Sequence, residues 1–134
     1  MITPNYTAEQ AVIGDIILEP ETVMPEAVAK LSVNDFDGEY KQIYEACEKL
    51  YMRSKLIDAV TVLSICGEEY KKTLLEACES TPTISNYQNY IAIVHENASR
   101  RRAFDEAIKL TSALEEGDIE GSERIVTNIS QYLS

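Results

Sequence analysis

Apolar residues recur at three- and four-residue steps over residues 85–116, and this spacing predicts one long amphipathic helix. Neither Pro nor Gly interrupts the stretch, which would be roughly 46 Å long as a helix. Ser85 and Gln88 are predicted to form a capping box at its start, and Gly117 a left-handed cap at its end. The apolar positions are Tyr87, Tyr90, Ile91, Val94, Ala98, Phe104, Ala107, Ile108, Thr111 and Leu114. We expect the first half of this helix to dock on a globular head and the second half to project beyond it.

Five shorter helices are predicted before the long one. Their ranges are about 7–18, 22–31, 39–52, 59–66 and 68–79. Thr7 and Gln10 are predicted to open the first helix as a capping box. Pro25 is expected in the first turn of the second helix, where its missing N–H does no harm. In the fourth helix, Val60 and Leu63 are expected to face the core.

A last helix is predicted after Gly117, beginning between Asp118 and Ser122. Its apolar residues are Ile125, Val126, Ile129, Tyr132 and Leu133. Since no stretch alternates like a strand, the predicted fold class is all-α. We expect a single domain over residues 1–134, with a globular head of five helices at about 5–98 and an antiparallel helical hairpin at about 99–134.

Composition limits the classes of function. With 45% apolar residues the chain can build a core, whereas its net charge of −11 disfavours direct contact with DNA phosphates. No apolar run is long enough for a membrane span. Cys47, Cys66 and Cys78 are interpreted as buried reduced thiols, which is typical of a cytoplasmic protein.

Candidate catalytic motifs are incomplete. The segment 67–73 has Lys72 where a phosphate-binding loop requires a second Gly. His95 is the only histidine, and Ser99 stands where a zinc helix would carry its second one. We therefore assign no catalytic, cofactor-binding or metal-ligating residue, and predict a non-catalytic chain.

Several short motifs follow one another at characteristic distances along residues 5–105. They are Ala8-Glu9-Gln10 with Gly14, Asp35-Phe36, Ile43-Tyr44-Glu45-Ala46, Ile57-Asp58-Ala59-Val60-Thr61-Val62, and Tyr90 with Arg101. In this order they resemble the N-terminal domain of DnaB-type hexameric replicative DNA helicases. The chain departs from that pattern at Asp37 and Tyr40, where the family has an aromatic residue and a histidine. Such divergence suits a phage or prophage relative.

The resemblance implies a helical head with a protruding hairpin. In the family, hairpins pair between subunits into a collar described as a trimer of dimers, and the collar docks primase. The expected partners are therefore a second copy of the chain and primase or a helicase loader, with DNA reached only through a full-length helicase and no membrane involved. The sequence, which runs to Ser134, does not include the family's linker helix or motor domain. The alternative is a free-standing adaptor, loader or phage protein that binds a host helicase, and continuation of the reading frame into an ATPase would distinguish the two.

The hairpin itself supplies a reason to self-associate. Two helices alone have too few layers to cover both apolar sides, and exposed apolar surface of that extent usually marks an interface. The predicted self-association residues are Phe104, Ile108, Leu114, Ile125, Ile129 and Leu133. Because Ile129→Glu would bury an unpaired carboxylate, it is expected to lower the oligomeric state and leave the head folded.

Overall fold

Seven α-helices and no strand make up the computed structural model, which describes residues 1–134. The helices are α1 Tyr6–Leu18, α2 Pro20–Lys30, α3 Gly38–Met52, α4 Ala59–Cys66, α5 Lys71–Glu79, α6 Tyr87–Glu115 and α7 Ile119–Leu133. Two 3₁₀ turns, Val33–Asp35 and Glu68–Tyr70, precede α3 and α5. The predicted all-α class is confirmed, with five helices before the long one. No helix has the length and apolarity needed to cross a membrane.

The chain forms two compact units. Residues Asn5–His95 form the first, which we call the head unit. Residues Met1–Pro4 with Glu96–Ser134 form the second, which we call the hairpin unit. Helix α6 contributes residues to both units.

The head unit is built on one apolar core to which α1 to α5 all contribute. Its largest fully buried side chains are Tyr44, Ile13, Ile16, Met24, Ile43, Leu74, Ile91, Val12, Val23, Val62 and Val94. The ring of Phe36 stacks on that of Tyr44 with centroids 4.3 Å apart. The buried Tyr44 hydroxyl donates to the Leu31 carbonyl at 3.3 Å, so this polar group is satisfied inside the core.

Two predicted capping boxes at helix starts are wrong. Helix α1 begins one residue before Thr7, and the Asn5 side chain caps it by accepting from the Ala8 N–H at 3.0 Å. At α6 the Asn86 carbonyl accepts from Tyr90 N–H at 3.1 Å, while the Ser85 hydroxyl bonds to Thr83. Asn caps a helix as well as Thr does, so the spacing from Thr7 to Gln10 indicated the wrong capping residue for α1.

Two further expectations in the head are wrong. Pro25 lies inside α2, because the helix already begins at Pro20, which takes the first-turn position instead. Val60 is 77% exposed, although its neighbours Val62 and Leu63 are buried. Asp58 and Thr61 form a reciprocal capping box that fixes the start of α4, and the packing of α4 on α3 leaves Val60 exposed.

Candidate interaction surface of the hairpin

The reversal between α6 and α7 is defined by backbone hydrogen bonds at Gly117. This residue has φ +76°, the left-handed conformation that glycine adopts without strain. The N–H groups of Gly117 and Asp118 donate to the carbonyls of Leu114 and Ala113 at 3.2 and 2.9 Å, which is the Schellman pattern. The Asp118 carboxylate then accepts from the Gly121 N–H at 2.9 Å and caps α7. The predicted cap and the predicted start of the last helix are both confirmed.

Small residues supply the buried positions of the hairpin. From position 103 onward the buried residues are Ala103, Ala113, Gly121 and Ser122. Small side chains allow two helices to approach closely. They also bury little apolar area, so the interior of the hairpin has few large side chains to hold it together.

Most large apolar side chains of the hairpin are exposed to solvent. Those exposed are Phe104, Ile108, Leu114, Ile119, Val126 and Leu133, with fractions between 37% and 64%. Ile119, Val126 and Leu133 follow one another at seven-residue steps and therefore share one face of α7. A monomer with this distribution leaves an apolar surface that a second protein chain can cover.

A groove of about 510 Å³ runs between α6 and α7. Leu110 and Leu114 form one wall, and Ile119, Ser122, Glu123, Val126 and Thr127 form the other. We call this the hairpin groove. Its lining is mainly apolar with one carboxylate at the edge, a combination suited to receiving an amphipathic helix.

The six predicted self-association residues occupy different positions around this groove. Leu114 lines it, whereas Ile108 lies about 160° around α6 from Leu110 and faces the opposite side, together with Phe104. Ile125 and Ile129 are half-buried, and Leu133 is exposed. Ile129 therefore contributes to the packing of the hairpin itself. Their role in self-association stays a prediction.

Sequence reasoning did not assign Ile119 and Val126 to the interface. The wider stripe of Ile125, Ile129 and Tyr132 hides them, because an amphipathic pattern alone does not separate the half-buried face from the exposed one. The heptad spacing of 119, 126 and 133 is the available signal.

The turn of the hairpin is strongly acidic. Exposed carboxylates there are Glu115, Glu116, Asp118, Glu120 and Glu123, with no Lys or Arg between residues 110 and 123. Earlier in α6, before the turn, Lys109 pairs with Glu106 at 3.3 Å, and the Arg101 guanidinium donates to the Asn97 side chain at 2.9 Å. A partner that approaches the acidic turn gains from carrying positive charge.

The motif residues in the head have structural surroundings. Buried Glu9 accepts from the Asp37 N–H at 2.7 Å, and Asp37 in turn accepts from the Tyr6 hydroxyl at 2.6 Å. Buried Asp35 accepts from the Ser32 N–H at 2.9 Å and completes the capping box of the first 3₁₀ turn. These bonds tie α1 to the segment that leads into α3.

The other motif residues pack or line a pocket. Phe36 and Ile43 are core residues, and Ala8 is 5% exposed. Gln10 and Tyr90 line a pocket of about 300 Å³ that also contains Thr7, Ser80 and Ile93. Gly14 faces α5 so closely that a Cβ atom would lie 2.5 Å from the Ala77 carbonyl oxygen.

The head contains no cluster of three or more His, Cys, Asp or Glu residues able to hold a metal ion. Its cysteines are free, with Cys47 buried and Cys66 and Cys78 half-buried. Burial raises the pKa of the Cys47 thiol to about 12, so this thiol is protonated and not nucleophilic at neutral pH.

Comparison with known proteins places these features in a family. The model of the DnaB-like helicase N-terminal domain matches residues 3–96. The replicative DNA helicase DnaB of Geobacillus stearothermophilus is 28% identical over 108 residues, and the replicative DNA helicase DnaC of Bacillus subtilis is 31% identical over 108 residues. Each alignment covers 73% of this chain and 23% of the relative, so the chain spans about a quarter of their length.

Solved structures extend the match to nearly the whole chain. The N-terminal domain of DnaB helicase from Mycobacterium tuberculosis matches with a TM-score of 0.84 at 25% identity, covering 97% of this chain and 99% of that one. A DnaB-like replicative helicase, solved in a study of its interactions with primase, shares the fold with a TM-score of 0.80 at 22% identity, covering 96% and 31%. The matched part of these helicases is their N-terminal domain.

Proposed function

The chain belongs to the DnaB-like helicase N-terminal domain family, and on that premise we propose that it is a non-catalytic assembly and docking domain in DNA replication. In this role the hairpin unit joins copies of the chain into a collar, and the collar binds primase or a helicase loader. The observation that carries the proposal is the hairpin groove. The interior of the hairpin consists of small residues, and Leu114, Ile119 and Val126 of the groove are exposed. They leave apolar surface that assembly would remove from water.

The proposal accounts for both halves of the sequence. The motif residues of the head act as caps, core residues and close-packing positions, which keep the head folded. The hairpin adds little to a core of its own and exposes its large side chains instead. A domain whose hairpin is poorly buried alone gains stability when a second copy covers that hairpin.

Self-association is tested by placing a carboxylate in the groove. We expect Val126→Glu to weaken self-association by at least about tenfold, because a buried carboxylate without a partner is unfavourable by more than the roughly 1.4 kcal/mol that a tenfold change requires. Val126 is 49% exposed, so the monomer should tolerate the change, whereas Ile129→Glu would disturb half-buried packing. Sedimentation equilibrium over a concentration series measures the self-association constant of each variant.

Gln131→Glu is the matched control, because it adds the same charge at an exposed position of α7 that does not line the groove. Circular dichroism of both variants checks that helicity is kept. If Val126→Glu and Gln131→Glu assemble as the unchanged chain does, the groove is not the self-association surface.

Primase is the first candidate partner, since one matched helicase structure describes interactions with primase. An assembled collar would present its acidic hairpin turns to a basic partner, so we expect binding of primase to weaken with added salt, mainly through slower association. Surface-immobilised chain, probed with primase at low and high salt, gives both rate constants. In this proposal the primase site is composite, formed by the hairpin of one copy and the head of a neighbouring copy. We therefore expect Val126→Glu to reduce binding of primase, because it weakens the assembly that forms this site.

Equal binding of primase to the Val126→Glu variant and to the unchanged chain would contradict the composite site. Binding of a helicase loader in the same assay, without binding of primase, would favour the adaptor function instead.

A further inference from the structure

The head unit exposes a second apolar surface, at the junction of α3 and α4. Met52, Leu56 and Val60 lie within nine residues of one another and are 64%, 71% and 77% exposed. These values are among the highest for large apolar side chains in the chain, although the head has a well-filled core beside them. We call Met52, Arg53, Lys55, Leu56 and Val60 the α3–α4 surface. It belongs to the head unit and is separate in sequence from the hairpin groove.

A small cavity opens at this surface. It has a volume of about 130 Å³ and is walled by Pro20, Tyr51, Leu56 and Ile57, with Lys55 and Glu21 at its rim. Sites for cofactors and other small molecules usually enclose about 300 Å³ or more, so this cavity is too small for them. It has room for one apolar side chain of a partner.

The turn that carries Lys55 and Leu56 is held by backbone hydrogen bonds. The N–H groups of Ser54 and Lys55 donate to the carbonyls of Tyr51 and Leu50 at 3.0 and 2.9 Å. Ser54 takes the left-handed position with φ +53°, so the end of α3 is a Schellman turn without glycine. A surface fixed before binding loses less conformational entropy on binding.

Positive charge is concentrated at this surface, although the chain as a whole is acidic. Residues 49–57 contain Lys49, Arg53 and Lys55 and no acidic residue, in a chain of net charge −11. Lys49 pairs with Glu45 at 3.3 Å, whereas Arg53 and Lys55 are exposed and make no ion pair. Glu21 is the one carboxylate at the rim of the cavity. Two free cations beside an apolar cavity favour a ligand that combines carboxylates with an apolar side chain.

We propose that the α3–α4 surface binds an acidic amphipathic segment of another protein, with one apolar side chain in the cavity and carboxylates on Arg53 and Lys55. This docking function is additional to assembly and primase binding through the hairpin. A nucleic acid would satisfy the two cations but would be repelled by the remaining net negative charge. The hairpin variants above test a different surface, so the two proposals fail or succeed independently.

The probes are two labelled synthetic helical peptides with identical Leu and Phe positions, one with Glu and the other with Lys at the flanking positions. Fluorescence anisotropy on the full chain should show that the Glu peptide binds at least about tenfold more tightly than the Lys peptide, and that its binding weakens with salt. Amide chemical shifts in ¹⁵N-labelled protein should change mainly over residues 51–57. Equal binding of the two peptides, binding of neither, or shifts centred on the hairpin unit would overturn the proposal.

Variants of the chain sharpen the test. Lys55→Glu should weaken binding of the Glu peptide by about tenfold or more, and Leu56→Ser by a similar factor. Glu21→Gln should strengthen it, because it removes the one repelling carboxylate at the rim. Lys109→Glu, an exposed lysine of the hairpin unit, is the control for a general charge effect and should change little. If Lys109→Glu weakens binding as much as Lys55→Glu does, the effect is not local. If Leu56→Ser instead lowers the self-association of the chain, the surface is covered by a second copy and the proposal is wrong.

Discussion

Gly14→Val should destabilise the head unit by about 3 kcal/mol or more, enough to unfold a large share of a marginally stable domain. Gly14 lies in α1 where that helix meets α5. A Cβ atom at this position would lie 2.5 Å from the Ala77 carbonyl oxygen and closer still to the Thr81 side chain. The backbone of α5 would have to move to admit any side chain, because a carbonyl cannot rotate away as a side chain can.

For the smaller change Gly14→Ala, the sign of the change in the free energy of unfolding is the informative result. In an exposed helix this substitution stabilises by about 1 kcal/mol, since alanine has the higher helix propensity. At Gly14 the steric contact with Ala77 opposes that gain, and overpacking of this kind is unfavourable by about 1–3 kcal/mol. We therefore expect Gly14→Ala to destabilise.

Urea unfolding followed by circular dichroism measures both variants. Thr81→Ala is the matched partner, because it removes the hydroxyl that bonds to the Ala77 carbonyl at 2.9 Å and that also crowds position 14. In the Thr81→Ala background Gly14→Ala should destabilise less, yet still destabilise, since the carbonyl contact remains. A stabilising Gly14→Ala would mean that α1 and α5 do not approach closely here.

The sequence predicted those features that depend on local physics. Helix periodicity, with Gly117 at a helix end, indicated the long helix, the reversal after it and a fourth helix from about residue 59, and all three are found. Five short helices before the long one were predicted for the same reason. Each of these features depends on contacts within a few residues, which a single sequence contains.

Features that depend on contacts distant in sequence were predicted poorly. Val60 reads as a core residue because its neighbours are apolar, but the orientation of α4 on α3 decides that it is exposed. Ile119 and Val126 line the hairpin groove because of how α7 packs on α6, and the amphipathic stripe does not separate them from half-buried Ile129. Docking surfaces are defined by what the core leaves uncovered, so they become visible only when tertiary packing is known.

Asp15 is a buried carboxylate that the apolar pattern of α1 does not reveal. Its side chain is fully buried, and neither carboxylate oxygen has a hydrogen-bond partner in the protein. An isolated charge in such a place is strongly unfavourable, so protonation is favoured instead. Burial raises the pKa of Asp15 from its ordinary value of 3.8 to about 6.

The sign of the pH dependence follows from this shift. Above pH 6 the native carboxylate is ionised and destabilises the fold; between pH 6 and 3.8 the native state takes up the proton while the unfolded chain stays ionised. The contribution of Asp15 to stability therefore improves as the pH falls through this window. A shift of about two pKa units corresponds to about 3 kcal/mol at most.

Asp15→Asn should remove this penalty, because the amide is neutral at every pH and nearly the same shape. We expect the variant to be more stable than the unchanged chain by up to about 3 kcal/mol at pH 7.5, with an advantage that shrinks towards zero by pH 4. Asp105→Asn removes the same charge from an exposed position and controls for the general relief of a chain with net charge −11. Urea unfolding of the three proteins across this pH range decides the matter, because only a buried carboxylate at position 15 makes the difference between the two variants depend on pH. A constant difference from pH 4 to 7.5, or no difference at all, would show that Asp15 is solvated in the native head.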